Sequence, residues 1–507
     1  MASMAPTTRA TRTRRMADLH VDIVLGIFYF LDGQTLVRCC SVCRAWQETV
    51  NGSTELKYMI ELWADGMIPC PFSTLSPVDK LERLNQWRRA WLGLNWASRT
   101  VFRIDNNPRA YELVGGVFAQ QNTWPVSDFT AIRLPSAQGG GEITRTLNVG
   151  VESLDFAMDP TQDLVVFLHK EDEIGHFACR AMSSLRPHPL AASSTLSFNL
   201  RDDSVRRIFL QIADDVIGLL FRTSQDEGSL RLILFNWRRG IELVDLVGPQ
   251  FPPSVSDFAI LSPRAYILAS VNDCSYMPGG PRGVGEIHIY TFNGTRQNHP
   301  ARVATLQLPH HNPTRYLVNM IAHSGPFCAG PLPGALFSKS NDKRICVFSL
   351  VYNGGEGYSL YVHHRYLEKY LVNEGAPPII PWDEWGPNHS RMLPGRHRFW
   401  LRYVHGERVV RPAGDFEHSN RVEIMDFGII PLHPGFNDEA SQSPSAEMCS
   451  QPSTIPSGDV FASDVTTALP YRRSFRNTED HHVQFLIDQD RLIGVNDAVD
   501  QLTVYTF

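Results

Sequence analysis

Cysteine and histidine side chains that lie close together in the sequence are the first candidates for metal chemistry. Cys39, Cys40 and Cys43 would bring three thiolates together, and thiolates are good ligands for zinc. A fourth ligand and a second close pair are missing, so we interpret these cysteines as core residues. Histidine pairs occur at His310-His311, His363-His364 and His481-His482. Because no pair has a glutamate at metalloprotease spacing, we predict surface or packing histidines, no metal and no cofactor.

Motifs of the common enzyme classes are also missing from the sequence. There is no Gly-x-Ser-x-Gly nucleophile elbow and no phosphate-binding lysine motif. Gly279 to Gly285 is rich in glycine but lacks the strand-to-helix setting that a phosphate cradle requires. We predict a non-catalytic protein. Acidic or histidine side chains that converge from distant segments stay an open alternative.

The composition is that of an ordinary globular protein on a long chain. The 507 residues are 43% hydrophobic and 20% charged, which predicts two or more folded units. The net charge of -6 argues against a dedicated nucleic-acid binder. The longest apolar run, Ile23 to Leu31, has nine residues, whereas a membrane-spanning helix needs about 20. We therefore predict no nucleic-acid partner and no membrane span.

The cysteines favour a reducing compartment. Nine cysteines are spread over the chain, and no apolar signal segment opens the sequence. Free thiols fit this pattern better than a disulfide framework does. We expect an intracellular protein, in the cytoplasm, the nucleus or both.

Helical patterns follow a basic tail. Residues 1–17 contain four arginines and few apolar side chains, which predicts a disordered arm. Residues 18–65 predict three short helices, because apolar positions recur at three- and four-residue spacing and Asp32 can cap the second helix. Residues 66–98 predict a helical linker that begins at Ser76-Pro77, a cap followed by proline in the first helical position.

Residues 99–507 predict an all-β domain, because short apolar or alternating runs are separated by turn residues. Hairpin patterns begin at Phe156, Ile208 and Phe258, so the repeat is 52 and then 50 residues, the length of one four-stranded propeller blade. A ring of blades covers sheet faces that a single sheet could not bury alone. We predict a β-propeller of seven blades, with six as the alternative.

The first and last parts of this domain are expected to meet. The pattern up to Phe507 is that of a strand, and we predict that this strand closes the ring against a strand near residues 111–134. Residues 433–458 are rich in Ser, Pro, Asn and Gln and contain no lysine or arginine. This composition predicts a disordered, acidic loop.

A recognisable pattern covers residues 19–46. It begins with Leu19-His20-Val21-Asp22-Ile23-Val24 and continues with Ile27-Phe28, Leu31-Asp32, Leu36 and Val42-Cys43-Arg44-Ala45-Trp46. These residues resemble an F-box, the segment with which adaptor proteins join Skp1-cullin ubiquitin ligases. The family has Leu-Pro-x-Glu and two aliphatic residues at the start and Val-Cys-x-x-Trp at the end. His20 here replaces the proline and Asp22 replaces the glutamate.

The resemblance implies a non-enzymatic substrate receptor. The F-box would bind a Skp1-like adaptor and through it a cullin, while the propeller would bind an unidentified target protein. Nine positions are expected to contact Skp1, although some must face inward to hold the helices together: Leu19, Ile23, Val24, Ile27, Phe28, Leu31, Leu36, Val42 and Trp46. Two alternatives stay open, a hydrolase-like propeller enzyme with an appended helical unit and an F-box protein that acts outside a ligase.

Two further segments look like those of mushroom-type fungal F-box proteins. They are Leu81-Glu82-Arg83-Leu84 with Trp91 to Trp96, and Trp385-Gly386-Pro387 with Arg391. A propeller loop packed by tryptophans is the simplest interpretation of the second segment. Charged candidates for target binding are Arg201, Arg206, Arg207, Arg238 and Arg239, although scattered solvated arginines explain them more simply.

Overall fold

The computed structural model describes most of the chain. The described residues are 19–71, 73–104, 108–122, 127–136, 143–200, 205–223, 230–271, 284–296, 299–332, 334–372, 375–395, 401–413, 420–429 and 446–507. The basic tail expected at 1–17 lies outside them. None of the described helices is long and apolar enough to span a bilayer.

Within the described residues, five helices precede the first complete sheet. They are α1 (Val21–Phe28), α2 (Gly33–Cys40), α3 (Arg44–Gly52), α4 (Thr54–Ala64) and α5 (Pro77–Gly93). The predicted caps are confirmed, because Asp32 accepts the Thr35 amide at 2.7 Å and Ser76 accepts the Asp79 amide at 3.2 Å. The helix α4 is additional to the predicted ones and begins at a cap from Ser53.

The described strands beyond residue 97 form seven main antiparallel sheets, arranged as the blades of a propeller, so the predicted seven-blade ring is confirmed. From the channel outward, blade 1 contains Ala110–Val114, Val117–Gln121, Asp128–Arg133 and Ile143–Asn148; blade 2 contains Ser153–Asp159, Leu164–Glu171, Ile174–Ala181 and Thr195–Asn199; blade 3 contains Arg206–Ala213, Val216–Arg222, Leu230–Asn236 and Ile241–Val247; blade 4 contains Val255–Ser262, Ala265–Ser270, Glu286–Thr291 and Ala301–Gln307.

The remaining blades complete the ring. Blade 5 contains Leu317–Ser324, Ile345–Tyr352, Gly357–His363 and Ser390–Pro394; blade 6 contains Val404–His405, Arg408–Pro412, Arg421–Asp426, Tyr471–Asn477 and Ala446–Cys449; blade 7 contains Gln484–Ile487, Arg491–Val495, Gln501–Thr506 and Ser98–Arg103. Short strands pair Met67–Pro69 with Phe337–Lys339 and Ser453–Ile455 with Val465–Thr467, and Ile379–Ile380 runs parallel to the outer strand of blade 4. The helices α6 (His364–Glu368) and α7 (Trp382–His389) lie between the last two strands of blade 5.

Hydrophobic contacts between neighbouring blades hold the ring together. The hairpins predicted at Phe156, Ile208 and Phe258 are the two inner strands of blades 2, 3 and 4. Between blades 2 and 3, Phe221 and Trp237 are completely buried in one cluster. Each blade thus covers a face that its neighbour could not bury alone.

The ring closes by pairing Gln501–Thr506 with Ser98–Arg103. The prediction of a closing strand is confirmed, but the predicted partner near residues 111–134 is wrong, since that segment forms the inner strands of blade 1. Ser98–Arg103 is the outermost strand of its sheet and buries only Phe102. An outer strand exposed to water needs few apolar residues, so it gives a weak sequence pattern.

The predicted disordered loop 433–458 is wrong for its described second part. Ala446–Cys449 adds an outer strand to blade 6, and a short hairpin begins at Ser453. Backbone hydrogen bonds form these strands, and the polar composition gives no sign of them. Residues 433–445 lie outside the described residues.

The Trp385-Gly386-Pro387 motif and Arg391 fasten this hairpin to the ring. The Trp385 indole donates to the Gln307 carbonyl of blade 4 at 2.9 Å. Arg391 is completely buried and donates to the Leu469 carbonyl at 2.8 Å and to Ser453 Oγ at 2.9 Å. The interpretation of this motif as a loop is wrong, since Trp385-Gly386-Pro387 lies in the helix α7. Together with Arg391, the motif joins blade 4, blade 5 and the hairpin.

A junction of α4 and α5 fixes the helical unit to the ring. Trp91 stacks on Phe507 with ring centroids 3.9 Å apart, and the Trp87 indole donates to Asp490 Oδ1 at 3.0 Å. The guanidinium of Arg408 lies 4.6 Å from the Trp87 ring and 4.7 Å from the Trp91 ring. These contacts join the linker helix directly to blades 6 and 7.

Arg88 of α5 carries the polar part of the junction. Its guanidinium pairs with Glu61 of α4 and with Asp65, which follows that helix, and the exposed fractions of the Arg88, Glu61 and Asp65 side chains are 19%, 10% and 16%. A charge left without its partner in such a site is strongly destabilising. The junction thus depends on this arginine.

We predict that deleting residues 500–507 abolishes soluble expression, because the deletion removes a central strand of blade 7 and leaves the ring open. Val101→Thr, which changes an exposed residue of the partner strand, is the control and should express like the wild type. Soluble yield and melting temperature measure both. A truncated protein with a normal melting transition would contradict ring closure by this strand.

We predict that Arg88→Met lowers the local stability of the junction by about 3 kcal/mol, because two carboxylates lose their buried partner. Hydrogen exchange of the α4 amides should accelerate by about two orders of magnitude. Arg83→Met, an exposed arginine on the same helix, is the control and should leave the exchange rates unchanged. Equal exchange in both variants would refute a stabilising role of the ion cluster.

Candidate protein-docking surface

The helical unit has a small core of its own. Val24 and Phe28 of α1 pack with Leu36 of α2, and α4 contributes Leu56 and Ile60. No ring residue belongs to this cluster among the described residues. The three helices α1, α2 and α3 therefore surround a core that the propeller does not cover.

A second set of apolar side chains on α1 faces water. Ile23 and Ile27 are exposed, and Phe30, just beyond the helix, has 92% of its surface exposed. These positions follow one another at four and three residues and so share one face. Val42, in the turn between α2 and α3, is 63% exposed. We call the exposed apolar residues of the helical unit the docking surface: Leu19, Val21, Ile23, Ile27, Tyr29, Phe30 and Val42.

The nine residues expected at the Skp1 contact fall into three groups. Leu19, Ile23, Ile27 and Val42 belong to the docking surface; Leu31 and Trp46 are half-buried; Val24, Phe28 and Leu36 are core residues. Trp46 packs edge-on against Phe28 with centroids 5.3 Å apart. Sequence reasoning missed Val21, Tyr29 and Phe30, although Phe30 follows Ile23 by seven residues, which is two helical turns.

The first turn of α1 has a capping residue even though His20 and Asp22 differ from the proline and glutamate of the F-box pattern. His20 precedes α1 and its Nδ1 accepts the Asp22 amide at 3.4 Å, while the Asp22 carboxylate lies 3.2 Å from the same nitrogen. Proline at this position would fix the backbone φ angle at the start of the helix. His20 instead stabilises the helix start through the contact of its side chain with Asp22. Of the three cysteines interpreted as core residues, Cys39 and Cys40 are half-buried and pack against the core of the helical unit, whereas Cys43 precedes α3 and does not belong to this cluster.

The segment 325–344 spans one end of the ring channel. It connects the two inner strands of blade 5 and bonds to inner hairpin turns of three other blades: Ala329 to Asp159, Arg344 to Leu261 and Lys339 to Gln489. Because those turns surround the ring axis, the segment covers the channel at this end. The helical unit lies on the same side, since Met67–Pro69 pairs with Phe337–Lys339.

A cavity of ≈ 140 Å³ lies in the channel beyond this segment, and several charged side chains line it. Glu112 pairs with Arg402, whereas Asp155 and Asp257 have no ion-pair partner among the described residues. Burial raises the pKa of both aspartates to about 7. Asp257 accepts the Phe258 amide at 2.7 Å and the Ala322 amide at 2.8 Å, so it joins blade 4 to blade 5.

The arginines considered for target binding do not form one cluster. Arg206 begins the inner strand of blade 3, and Arg207 follows it in an exposed bulge. Arg238 and Arg239 lie in the turn between the two outer strands, at the opposite end of the same sheet. Arg238 lies 3.3 Å from the Asp214 carboxylate, and Arg201 is outside the described residues. Their charges therefore do not add up at one site.

Comparisons with known proteins agree on the helical unit. Residues 16–57 match the family described as F-box-like. No curated protein matches the chain.

Solved structures that resemble the chain do so weakly. They include the hydrazine synthase of Kuenenia stuttgartiensis (11% identity, 53% of this chain, 68% of that chain, TM-score 0.34), the N-terminal domain of Nup159 (9%, 81%, 94%, 0.32) and Kluyveromyces lactis Hsv2 (8%, 64%, 93%, 0.30). The propeller assignment rests on the strand pairing described above. The chain thus combines an F-box-like segment within its helical region and a seven-bladed β-propeller.

Proposed function

We propose that this protein is the substrate-recognition subunit of a Skp1-cullin-F-box ubiquitin ligase. The docking surface would bind a Skp1-like adaptor, which in turn binds a cullin, and the propeller would hold the target. The receptor then acts by proximity, because holding a target lysine near the ubiquitin thioester raises its effective concentration. Such a receptor needs no acid, base or nucleophile of its own.

The exposed apolar residues of α1 are the observation that carries this proposal. Val24 and Phe28 of this short helix pack into the core of the helical unit, whereas Ile23 and Ile27 of the same helix and Phe30 just beyond its end are exposed to water. Several large apolar side chains exposed within one short segment are typical of an interaction site, whereas apolar residues scattered singly are normal on a monomer surface. A standard interface concentrates its binding energy in a few such anchors.

The junction and the covered channel suggest where the target binds. The helical unit and the segment 325–344 occupy one side of the ring. We infer that the target contacts the opposite side. Arg206 and Arg207 lie on this opposite side of the ring, but no specific contact with the target is assigned to them.

The proposal extends to the family and the cellular location of the protein. The helix α5 and the Trp385-Gly386-Pro387 motif support kinship with mushroom-type fungal F-box proteins, and the ligase role places the protein inside the cell. An F-box protein acting outside a ligase would bind the Skp1-like adaptor equally well. Reconstitution with a cullin separates the two cases, because only a ligase receptor would bring the cullin into the complex together with the target.

A propeller enzyme is the second candidate, and the channel aspartates are the observation that favours it. Asp155 and Asp257 line the same channel and have raised pKa values, as catalytic carboxylates often do. Asp257, however, already binds two backbone amides and thereby joins two blades. Because Asp257 has this structural role, the receptor function is favoured over an enzymatic function.

We predict that Ile23→Asp combined with Ile27→Asp weakens binding of a purified Skp1-like adaptor by about 30-fold or more. The two charges would lie in the centre of the apolar contact, where anchors contribute about 2 kcal/mol. Isothermal titration calorimetry measures the affinity. The melting temperature should stay unchanged, since both residues are exposed.

Two further variants control this experiment. Leu190→Asp changes an apolar ring residue that is 59% exposed and should bind like the wild type. Phe28→Ala should instead destabilise the helical unit, because Phe28 is 2% exposed. Undiminished adaptor binding by the double aspartate variant would rule out the docking surface as the Skp1 contact.

We predict that Asp257→Asn changes the pH dependence of stability. The folded pKa of about 7 exceeds the unfolded value of about 3.9, so the folded state binds more protons between these values. The wild type therefore loses stability as pH rises from about 4 to 7, and the variant should lack this loss. The melting temperature of the variant relative to that of the wild type should therefore be higher at pH 8 than at pH 5. The exposed Asp172→Asn should show no such shift, and a parallel course of all three proteins would contradict the role of Asp257.

A further inference from the structure

A second concave site lies between blades 5 and 6, on the side of the ring that carries the helical unit. It has a volume of ≈ 370 Å³, within the range of small-ligand pockets. The 3₁₀ turn Lys369–Val372 follows α6 directly, and Lys369 together with Arg365 of α6 contributes to one wall. His389, at the end of α7, contributes to the lining as well. We call this site the cationic pocket.

The polar lining of the cationic pocket is entirely basic. Arg365 and Lys369 carry positive charges, His363 and His389 contribute imidazole rings, and no acidic side chain lines the pocket among the described residues. The rest of the lining is aromatic or aliphatic, with Phe427 and Leu469 buried beneath it. The site thus combines an apolar floor with a positive rim.

Lys369 and His389 of the rim meet at the ring of Tyr366. Lys369 Nζ lies 3.6 Å from the centre of the Tyr366 ring, and His389 stacks on the same ring at 4.2 Å. Partial burial and the Lys369 ammonium lower the pKa of His389. Neither Arg365 nor Lys369 takes part in an ion pair among the described residues. Like charges held together in this way repel one another, and a bound anion removes that cost.

Two carboxylates lie close to the cationic pocket without lining it. Glu407 is 3% exposed and lies 2.9 Å from His363 Nδ1, while Glu368 lies 3.3 Å from His364 Nδ1. Both acids therefore face buried histidines. Arg365 also interacts electrostatically with Glu407, and the Lys369 ammonium lies over the rings of Tyr366 and Tyr370, but neither side chain forms an ion pair among the described residues.

We propose that the cationic pocket binds a phosphomonoester dianion attached to an aromatic or aliphatic group. The fork of Arg365 suits two phosphate oxygens, and Lys369 supplies a point charge beside it. The apolar part of the ligand contacts Ile429 and Pro470, which line the same pocket. This binding site is independent of the docking surface and of the proposed ligase role.

Calorimetry on the full chain at low ionic strength tests the site with three small probes. Phenyl phosphate carries both parts of the ligand, inorganic phosphate only the charge, and phenol only the ring. Phenyl phosphate should bind at one site and more tightly than either fragment. Failure of phenyl phosphate to bind, or binding no tighter than that of inorganic phosphate, would overturn the proposal.

Variants locate the binding on the molecule. Arg365→Glu and Lys369→Met should each lower the affinity for phenyl phosphate by about tenfold or more, because each removes a charge-assisted contact. Arg186→Glu, an exposed arginine of blade 2, is the matched control and should change nothing. All three positions are exposed, and melting temperatures check that each variant folds. Affinity that survives both pocket variants would refute this location.

A fourth probe distinguishes the two sources of such a phosphate. A short peptide with one phosphotyrosine is compared with the same peptide without phosphate. Binding of the phosphopeptide more tightly than phenyl phosphate assigns the pocket to a phosphorylated protein side chain. Binding of phenyl phosphate alone assigns it to a free phosphorylated compound.

Discussion

The pairing of Ser98–Arg103 with Gln501–Thr506 is the interaction on which the other parts of the molecule depend. It closes the ring, and it also sets the position of the helical unit, because only four residues separate α5 from Ser98. Trp91 of that helix then reaches Phe507, which follows the closing strand, and stacks on it. Ring closure and attachment of the helices therefore form one structural unit.

The helix α4 extends this unit to the docking surface, because it belongs to two hydrophobic cores. Leu56 and Ile60 pack into the core of the helical unit, whereas Tyr58 and Leu62 pack with ring residues and α5. A helix buried on two sides cannot move relative to one core without losing contacts in the other. The exposed face of α1 is thus held at a fixed position relative to the channel, in contrast to modules joined by flexible linkers.

Features that depend on local chemistry could be predicted from the sequence, and features that depend on distant contacts could not. The Asp32 and Ser76 caps and the inner hairpins of the blades leave clear patterns, and the family pattern located the helical unit. The outermost strands carry few apolar residues, so the closing partner was placed in the wrong segment. The backbone pairing of Ala446–Cys449 and the bonds of Arg391 have no local signature.

The residues of α1 also show which features the sequence could predict and which depend on tertiary contacts. One apolar pattern covers both faces of α1, and a family resemblance cannot tell a core residue such as Phe28 from an exposed one such as Ile27. Only the packing of α1 on α2, α3 and α4 separates them. The channel and its covering segment 325–344 were beyond sequence reasoning, since their bonds join residues more than 80 positions apart.

Ring closure has a consequence for biosynthesis. The strand Ser98–Arg103 leaves the ribosome about 400 residues before its partner, which at about 5–20 residues per second is a wait of roughly 20–80 s. During that time the nascent strand has no edge to pair with. Its exposed Arg99 and Arg103, with Phe102 as the one buried residue, give it the charged character that discourages pairing with a foreign sheet. The low apolar content that makes this strand difficult to recognise in the sequence thus disfavours non-native pairing until the partner strand has been synthesised.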